Sequence, residues 1–180
     1  SWPLDPNERK VLRAAAISQR ETGASVTVHP GRNWEAPFEI LDVLSDAGAD
    51  IGRVIMCHLD RTFYDEDTLL EFAERGCYLE YDFFGWETSY FSYGERDMIS
   101  DAQRLRYIKL LVDQGYVNKI VVAHDMFAKH KLVKYGGHGF SHILDNIVPR
   151  MRQSGFSEEH INAIVVQNPA QILAFCSIQR

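Results

Sequence analysis

The chain has 180 residues, 46% of them hydrophobic and 12% aromatic, which suits one globular domain with a sizeable core and excludes a disordered chain. Its formal charge is −6 and it has no Lys/Arg block to displace counterions from phosphates, so nucleic acid is not an expected partner. No apolar run approaches the roughly 18 residues of a membrane span, and Ser1-Trp2-Pro3-Leu4-Asp5 has neither the basic nor the apolar region of a leader. Three cysteines without CxxC spacing, Cys57, Cys77 and Cys176, read as reduced, buried thiols. The expectation is a cytoplasmic protein with a small-molecule substrate and no nucleic-acid or membrane partner, with a homodimer as the candidate assembly.

From Pro6, Val11, Leu12, Ala15 and Ala16 recur at helical spacing until Gly23 ends the pattern. Ser25 to His29 then reads as a strand, Asn33 as the N-cap of a helix that stops before Gly48, and Arg53 to Cys57 as a second strand. Asp65 opens a third helix, Gly76 closes it, and Cys77 to Tyr81 form the third strand. An aromatic insertion, Phe83 to Tyr93, precedes a helix capped by Ser100 or Asp101, and Lys119 to Ala123 make the fourth strand. The glycine-rich turn Tyr135-Gly136-Gly137-His138-Gly139 leads to helices at about Ser141 to Arg152, Ser157 to Val165 and Asn168 to Phe175.

Strands alternating with helices imply a parallel sheet, and four such units are half of a (β/α)₈ barrel, which needs about 250 residues. The expected fold is α/β, with residues 1–180 forming a single partial domain equivalent to the carboxyl-terminal half of a TIM barrel. An open four-stranded α/β sheet is the alternative. His29-Pro30-Gly31-Arg32-Asn33 lacks the GxGxxG of a dinucleotide-binding turn.

Each apolar run ends on a residue able to hold a metal or a proton: His29, His58, Asp82 and Asp125. In a parallel sheet these ends share one mouth, where clustered His and Asp side chains form metal sites. His29 and His58 on neighbouring strands could share one divalent ion, although either alone could be a histidine satisfied by backbone. Asp125 could ligate a metal and accept a proton from water, or cap the following turn. His124, one residue earlier, should face away from the mouth and serve a structural part. Arg32 could fork onto a substrate carboxylate, sulfonate or phosphate, or lie in a surface salt bridge. Asp82 could orient a neighbouring group or contact substrate, and His138 among its glycines could gate the site. His130, His142 and His160 have no partner at ligand spacing and read as ordinary.

With these motifs the chain closely resembles the phosphotriesterase-related proteins of the amidohydrolase superfamily. The residues that carry the likeness are Val26-Thr27-Val28-His29-Pro30-Gly31-Arg32, Cys57-His58-Leu59-Asp60-Arg61, Ala123-His124-Asp125, Gly136 to Leu144, and Asn168-Pro169-Ala170. The resemblance implies a zinc-dependent hydrolase with a (β/α)₈ barrel and two divalent metals, usually Zn2+, per full-length chain. It implies that His29 and His58 hold the more exposed metal, while Asp125 binds the buried one and is the catalytic proton acceptor. Substrates in such relatives include N-acyl amino acids or N-acyltaurine, lactones and phosphotriesters, and Arg32 points to an anionic amide. The family's HxH pair and bridging Lys or Glu are missing here, so the chain alone is expected to be inactive. Phe83 also stands where phosphotriesterases proper carry a histidine, which argues against organophosphate hydrolysis.

Overall fold

The computed structural model describes residues 1–90 and 96–176. Phe91, Ser92 and Tyr93 of the aromatic insertion lie outside the described residues. Helix α1 (Pro6–Thr22) begins at a capping box. Asp5 accepts from the backbone of Asn7 and Glu8, Glu8 reaches back to Asp5, and Gly23 at φ 72° ends the helix. Strand β1 (Val26–Val28) follows, then α2 (Ala36–Asp46), β2 (Val54–Met56), α3 (Glu66–Ala73), β3 (Tyr78–Tyr81), α4 (Asp101–Asp113) and β4 (Ile120–Val122).

Asn33 does not cap α2. Its carboxamide accepts from the Glu35 amide at 2.8 Å, and the N-cap is Glu35, which makes no side-chain bond to the helix. The helix start is displaced because Asn33 closes a tight turn of its own, a use of Asn that competes with capping. Asp65 and Ser100 do cap, accepting from Thr68 at 2.8 Å and Gln103 at 3.3 Å.

The four strands pair in parallel in the order β1-β2-β3-β4, with Val28 beside Met56, Ile55 beside Tyr78, and Tyr81 beside Val122. Parallel neighbours in sequential order put all four carboxyl ends on one edge of the sheet. The period-2 alternation sorts the side chains. Val28, Val54, Met56, Leu79, Tyr81 and Ile120 enter the main core with the helices, while Ile55, Tyr78 and Val121 form a second cluster with Ile172. Burial of a large aliphatic side chain is worth about 1.5–3 kcal/mol, so the main core dominates stability.

The carboxyl-terminal segment is helical in two rods. Ile143–Ile147 has π geometry and runs into α5 (Val148–Gln153), and α6 (Glu158–Asn162) continues through a π stretch, Ala163–Gln167, into α7 (Asn168–Leu173). Asn168, almost fully buried, donates from Nδ2 to the carbonyls of Val117 (2.8 Å) and Ile120 (2.7 Å), tying the last helix to the entry of β4. Cys57 and Cys77 are buried, but Cys176 is exposed, against the expectation for all three, because it lies beyond the end of α7. No helix among the described residues is long and apolar enough to cross a membrane.

Candidate functional site

At the carboxyl edge, β1 delivers His29 directly after Val28, and β2 delivers His58 two residues after Met56. His58 sits at φ 60°, a left-handed conformation that costs a non-glycine residue on the order of 1–3 kcal/mol. That turn aims the ring so that Nδ1 lies 2.8 Å from Asp82 Oδ1, while Asp82 Oδ2 accepts from the His58 amide at 3.2 Å. The other ring nitrogen, Nε2, lies 2.7 Å from His29 Nδ1. Phe83 stacks on the His58 ring at 5.1 Å. Behind His29, Arg61 Nη2 reaches Nε2 at 3.1 Å and donates to the Pro30 carbonyl at 3.0 Å.

The protons in this chain of contacts follow from one fact: guanidinium donates and never accepts. His29 Nε2 must therefore accept from Arg61, so its hydrogen sits on Nδ1 and is given to His58 Nε2. His58 in turn carries its hydrogen on Nδ1 and gives it to Asp82. Both Asp82 oxygens then act as acceptors.

Burial pushes the His29 pKa down to about 4, helped by the charges of His58, Arg61 and Arg32 and opposed by Asp125. His58 is pushed down by burial and then by Arg61, with Asp125, Asp60 and Glu80 opposing. Burial raises Asp82, the nearby carboxylates of Asp60, Glu80 and Asp125 add to this, and the His58 amide works against it. Two neutral imidazoles that face each other, one of them backed by a carboxylate, are the donor set and outer support that a divalent cation requires. The residues present fit a metal.

Asp125 also lies in the left-handed region, at φ 45°, so the alternation of β4 stops before it. Its negative charge acts on both His29 and His58. It does not close with them into a group whose ligand atoms all lie within 4.8 Å; among the described residues the group that does is Cys57, Glu80 and Asp82. Burial raises the Cys57 thiol, Glu80 beside it adds to the rise, and burial raises Glu80 as well. Lys131, buried to 4% exposure, donates to the carbonyls of His124 and Asp125, the latter at 2.7 Å, beneath the rings of Phe83, Trp86 and Phe127. This lysine fixes the unusual backbone at Asp125.

His124 accepts through Nε2 from the Ile143 amide at 3.2 Å. Arg32 is exposed, and its charge bears on His29 and Arg61. His138 is exposed and its ring lies 4.3 Å from that of His142. His142 is not ordinary. It is buried, with Nε2 at 2.7 Å from Asp101 Oδ2 and Nδ1 at 3.0 Å from Asn146. Asp101 pairs with Arg104 at 2.7 Å, and Arg104 donates through Nε to Asp60 Oδ2 at 2.9 Å, the same oxygen that accepts from the Phe83 amide at 2.9 Å. This network links α4 to the loops after β2, β3 and β4. The sequence offered Asp101 only as a candidate helix cap and His142 as ordinary, and the Asp101-to-Arg104 helical spacing was the signal available.

Comparison with known proteins gives a consistent set of likenesses. The model of the phosphotriesterase family matches residues 1–173. N-acetyltaurine hydrolase of Mus musculus is 52% identical over 176 residues, which cover 97% of this chain and 50% of that protein. The chain thus spans about half the length of the curated relatives it matches. A resiniferatoxin-binding protein from Rhodobacter sphaeroides has a TM-score of 0.87 and 32% identity, over 94% of this chain and 47% of that one. The phosphotriesterase homology protein from Escherichia coli, solved with phosphate in its active site, has a TM-score of 0.82 and 28% identity, over 97% of this chain and 56% of that one.

Proposed function

Because this chain belongs to the phosphotriesterase family, we propose that it is the carboxyl-terminal half of a barrel that hydrolyses an N-acyl amino acid or N-acyltaurine anion with divalent metal, most simply zinc. The single observation that carries the reading is the 2.7 Å approach of His29 Nδ1 to His58 Nε2, with His58 Nδ1 committed to Asp82. Those two nitrogens would hold the ion, and Asp125 would contribute to a second one. A divalent cation bound there would polarise the acyl oxygen and acidify water.

The residues of the chain do the rest. Asp125 takes a proton from the attacking water, whose oxygen forms a bond to the acyl carbon. The C–N bond breaks, and Asp125 passes the proton to the departing amine. Asp82 holds the His58 ring in place, Phe83 shields it from water, and Arg32 and His138 at the rim receive the anionic end of the substrate. The likeness to N-acetyltaurine hydrolase at 52% identity supports the amide over a lactone or a phosphotriester. Phe83, stacked on His58 in place of a proton-relaying histidine, weighs further against the phosphotriester.

The test offers N-acetyltaurine, another N-acyl amino acid, a lactone and a chromogenic phosphotriester to the chain extended at its amino end. The expected result is zinc-dependent turnover of the amides and none by the unextended chain. Turnover of the phosphotriester alone would overturn the reading.

A second reading, a non-catalytic half-barrel that assembles with its other half or with a second copy, draws on the open edge at β1. Thr27 there is exposed, and an apolar cleft lies beside the strand, lined by Leu4, Val11, Ala15 and Ile40. Size-exclusion chromatography separates the two, since a monodisperse zinc-binding monomer is incompatible with obligate pairing.

A further inference from the structure

Arg61 occupies a place that the proposed chemistry does not explain. It ends the short 3-10 turn Leu59–Arg61 that follows His58, it is buried to 4% exposure, and its Nη1 has no hydrogen-bond partner among the described residues. Its Nη2 is spent on His29 Nε2 and the Pro30 carbonyl. The bond to Nε2 requires the His29 hydrogen to be on Nδ1, the nitrogen that faces His58. A neutral imidazole can offer a cation only the nitrogen without a hydrogen. If His29 binds through Nδ1, its hydrogen moves to Nε2, and two donors then face each other across 3.1 Å. One side must withdraw. The His29 ring hangs on a short stem at the end of β1, whereas the arginine stem is long and can swing about its Pro30 contact.

We propose that Arg61 is a positioning residue that binds His29 Nε2 in the metal-free protein, releases the ring when Nδ1 takes a cation, and turns its guanidinium to the anionic end of the substrate. This rests on the reading of His29 and His58 as a cation site and deepens it. A released buried guanidinium has at least two N–H groups without acceptors, and a sulfonate or carboxylate matches that fork with parallel charge-assisted bonds. The positive charge of Arg32, felt by both Arg61 and His29, reinforces the preference for an anion. Cation and anion then bind cooperatively, each favouring the state in which Arg61 has left His29.

The experiment uses full-length protein with 15N-labelled histidine. In the metal-free wild type, long-range 1H–15N spectra should show His29 Nε2 as a hydrogen-bonded acceptor nitrogen, and in Arg61→Met that shift should be lost while the hydrogen stays on Nδ1, where His58 Nε2 still accepts it. Arg61→Gln, which keeps a polar side chain, guards against a folding failure of the first variant. Without anion, both variants should bind zinc roughly fivefold more tightly than the wild type, the scale of one neutral hydrogen bond. Methanesulfonate should tighten zinc binding severalfold in the wild type and not in either variant. A His29 Nε2 signal that is the same in wild type and Arg61→Met would overturn the proposal, as would an equal effect of methanesulfonate on all three proteins. Zinc affinity unchanged by His58→Asn would instead sink the cation site, and that failure is distinguishable because it leaves the metal-free spectra of the Arg61 variants as expected.

Discussion

Arg104 donates through Nε to Asp60 Oδ2 at 2.9 Å, and both side chains are wholly out of contact with solvent. The pair joins α4 to the turn after His58, and because Asp60 also accepts from the Phe83 amide, it positions the residue that covers the His58 ring. A buried pair of this kind is weak evidence of net stabilisation, but removing one partner strands a charge in the interior.

Replacing Arg104 by Met should therefore destabilise the fold by about 3–5 kcal/mol, measured as a lowered midpoint in urea. The double change Asp60→Asn with Arg104→Met should recover part of that loss. An Arg104→Met protein as stable as the wild type would show that Asp60 is protonated and does not need its partner.

Asp82 holds His58 through two hydrogen bonds, and losing such a carboxylate behind a ligating histidine lowers metal affinity about 10–100-fold. Asp82→Asn should show a loss of that size in competition with a chelating dye. Unchanged zinc affinity in the variant would mean that the orientation of His58 is set by its own backbone turn.

The metal-free protein should lose stability as pH falls through the window from about 6.5 to about 4. His29 binds a proton less readily folded, at about 4, than unfolded, at the ordinary 6.5, so in that window the unfolded chain holds more protons. Its contribution is fully present above 6.5 and is lost as the pH drops through the folded value. Thermal midpoints across pH 4 to 7 for wild type and His29→Asn check this, and the variant should show the shallower slope.

Gly137 passes so close to the preceding turn that a Cβ there would stand 2.2 Å from the Lys131 carbonyl carbon and 2.3 Å from the His130 carbonyl oxygen. Backbone cannot yield as a side chain can. Gly137→Ala should cost about 1–3 kcal/mol in thermal or urea unfolding. It should also disturb Lys131, whose ammonium secures the carbonyls of His124 and Asp125.

The amino-acid order by itself determined the succession of strands and helices, the parallel sheet, the caps at Asp65 and Ser100, and the arrival of His29, His58, Asp82 and Asp125 at one edge. These follow from periodicity and from side-chain bonds that span a few residues, which any reader of the chain can count. Asn33 shows the limit even at short range, since a turn and a cap make the same local demand on its carboxamide. Only the tertiary structure decided that His58 and Asp125 take left-handed backbone, that His142 joins a buried ion network, and that Arg61, Arg104 and Lys131 leave the surface to set the site. Charged residues are mostly solvated, and what draws these inward is a partner distant in sequence: 44 positions from Arg104 to Asp60 and 32 from Arg61 to His29. Such pairings exist only once the sheet has brought the loops together, and no local pattern encodes them.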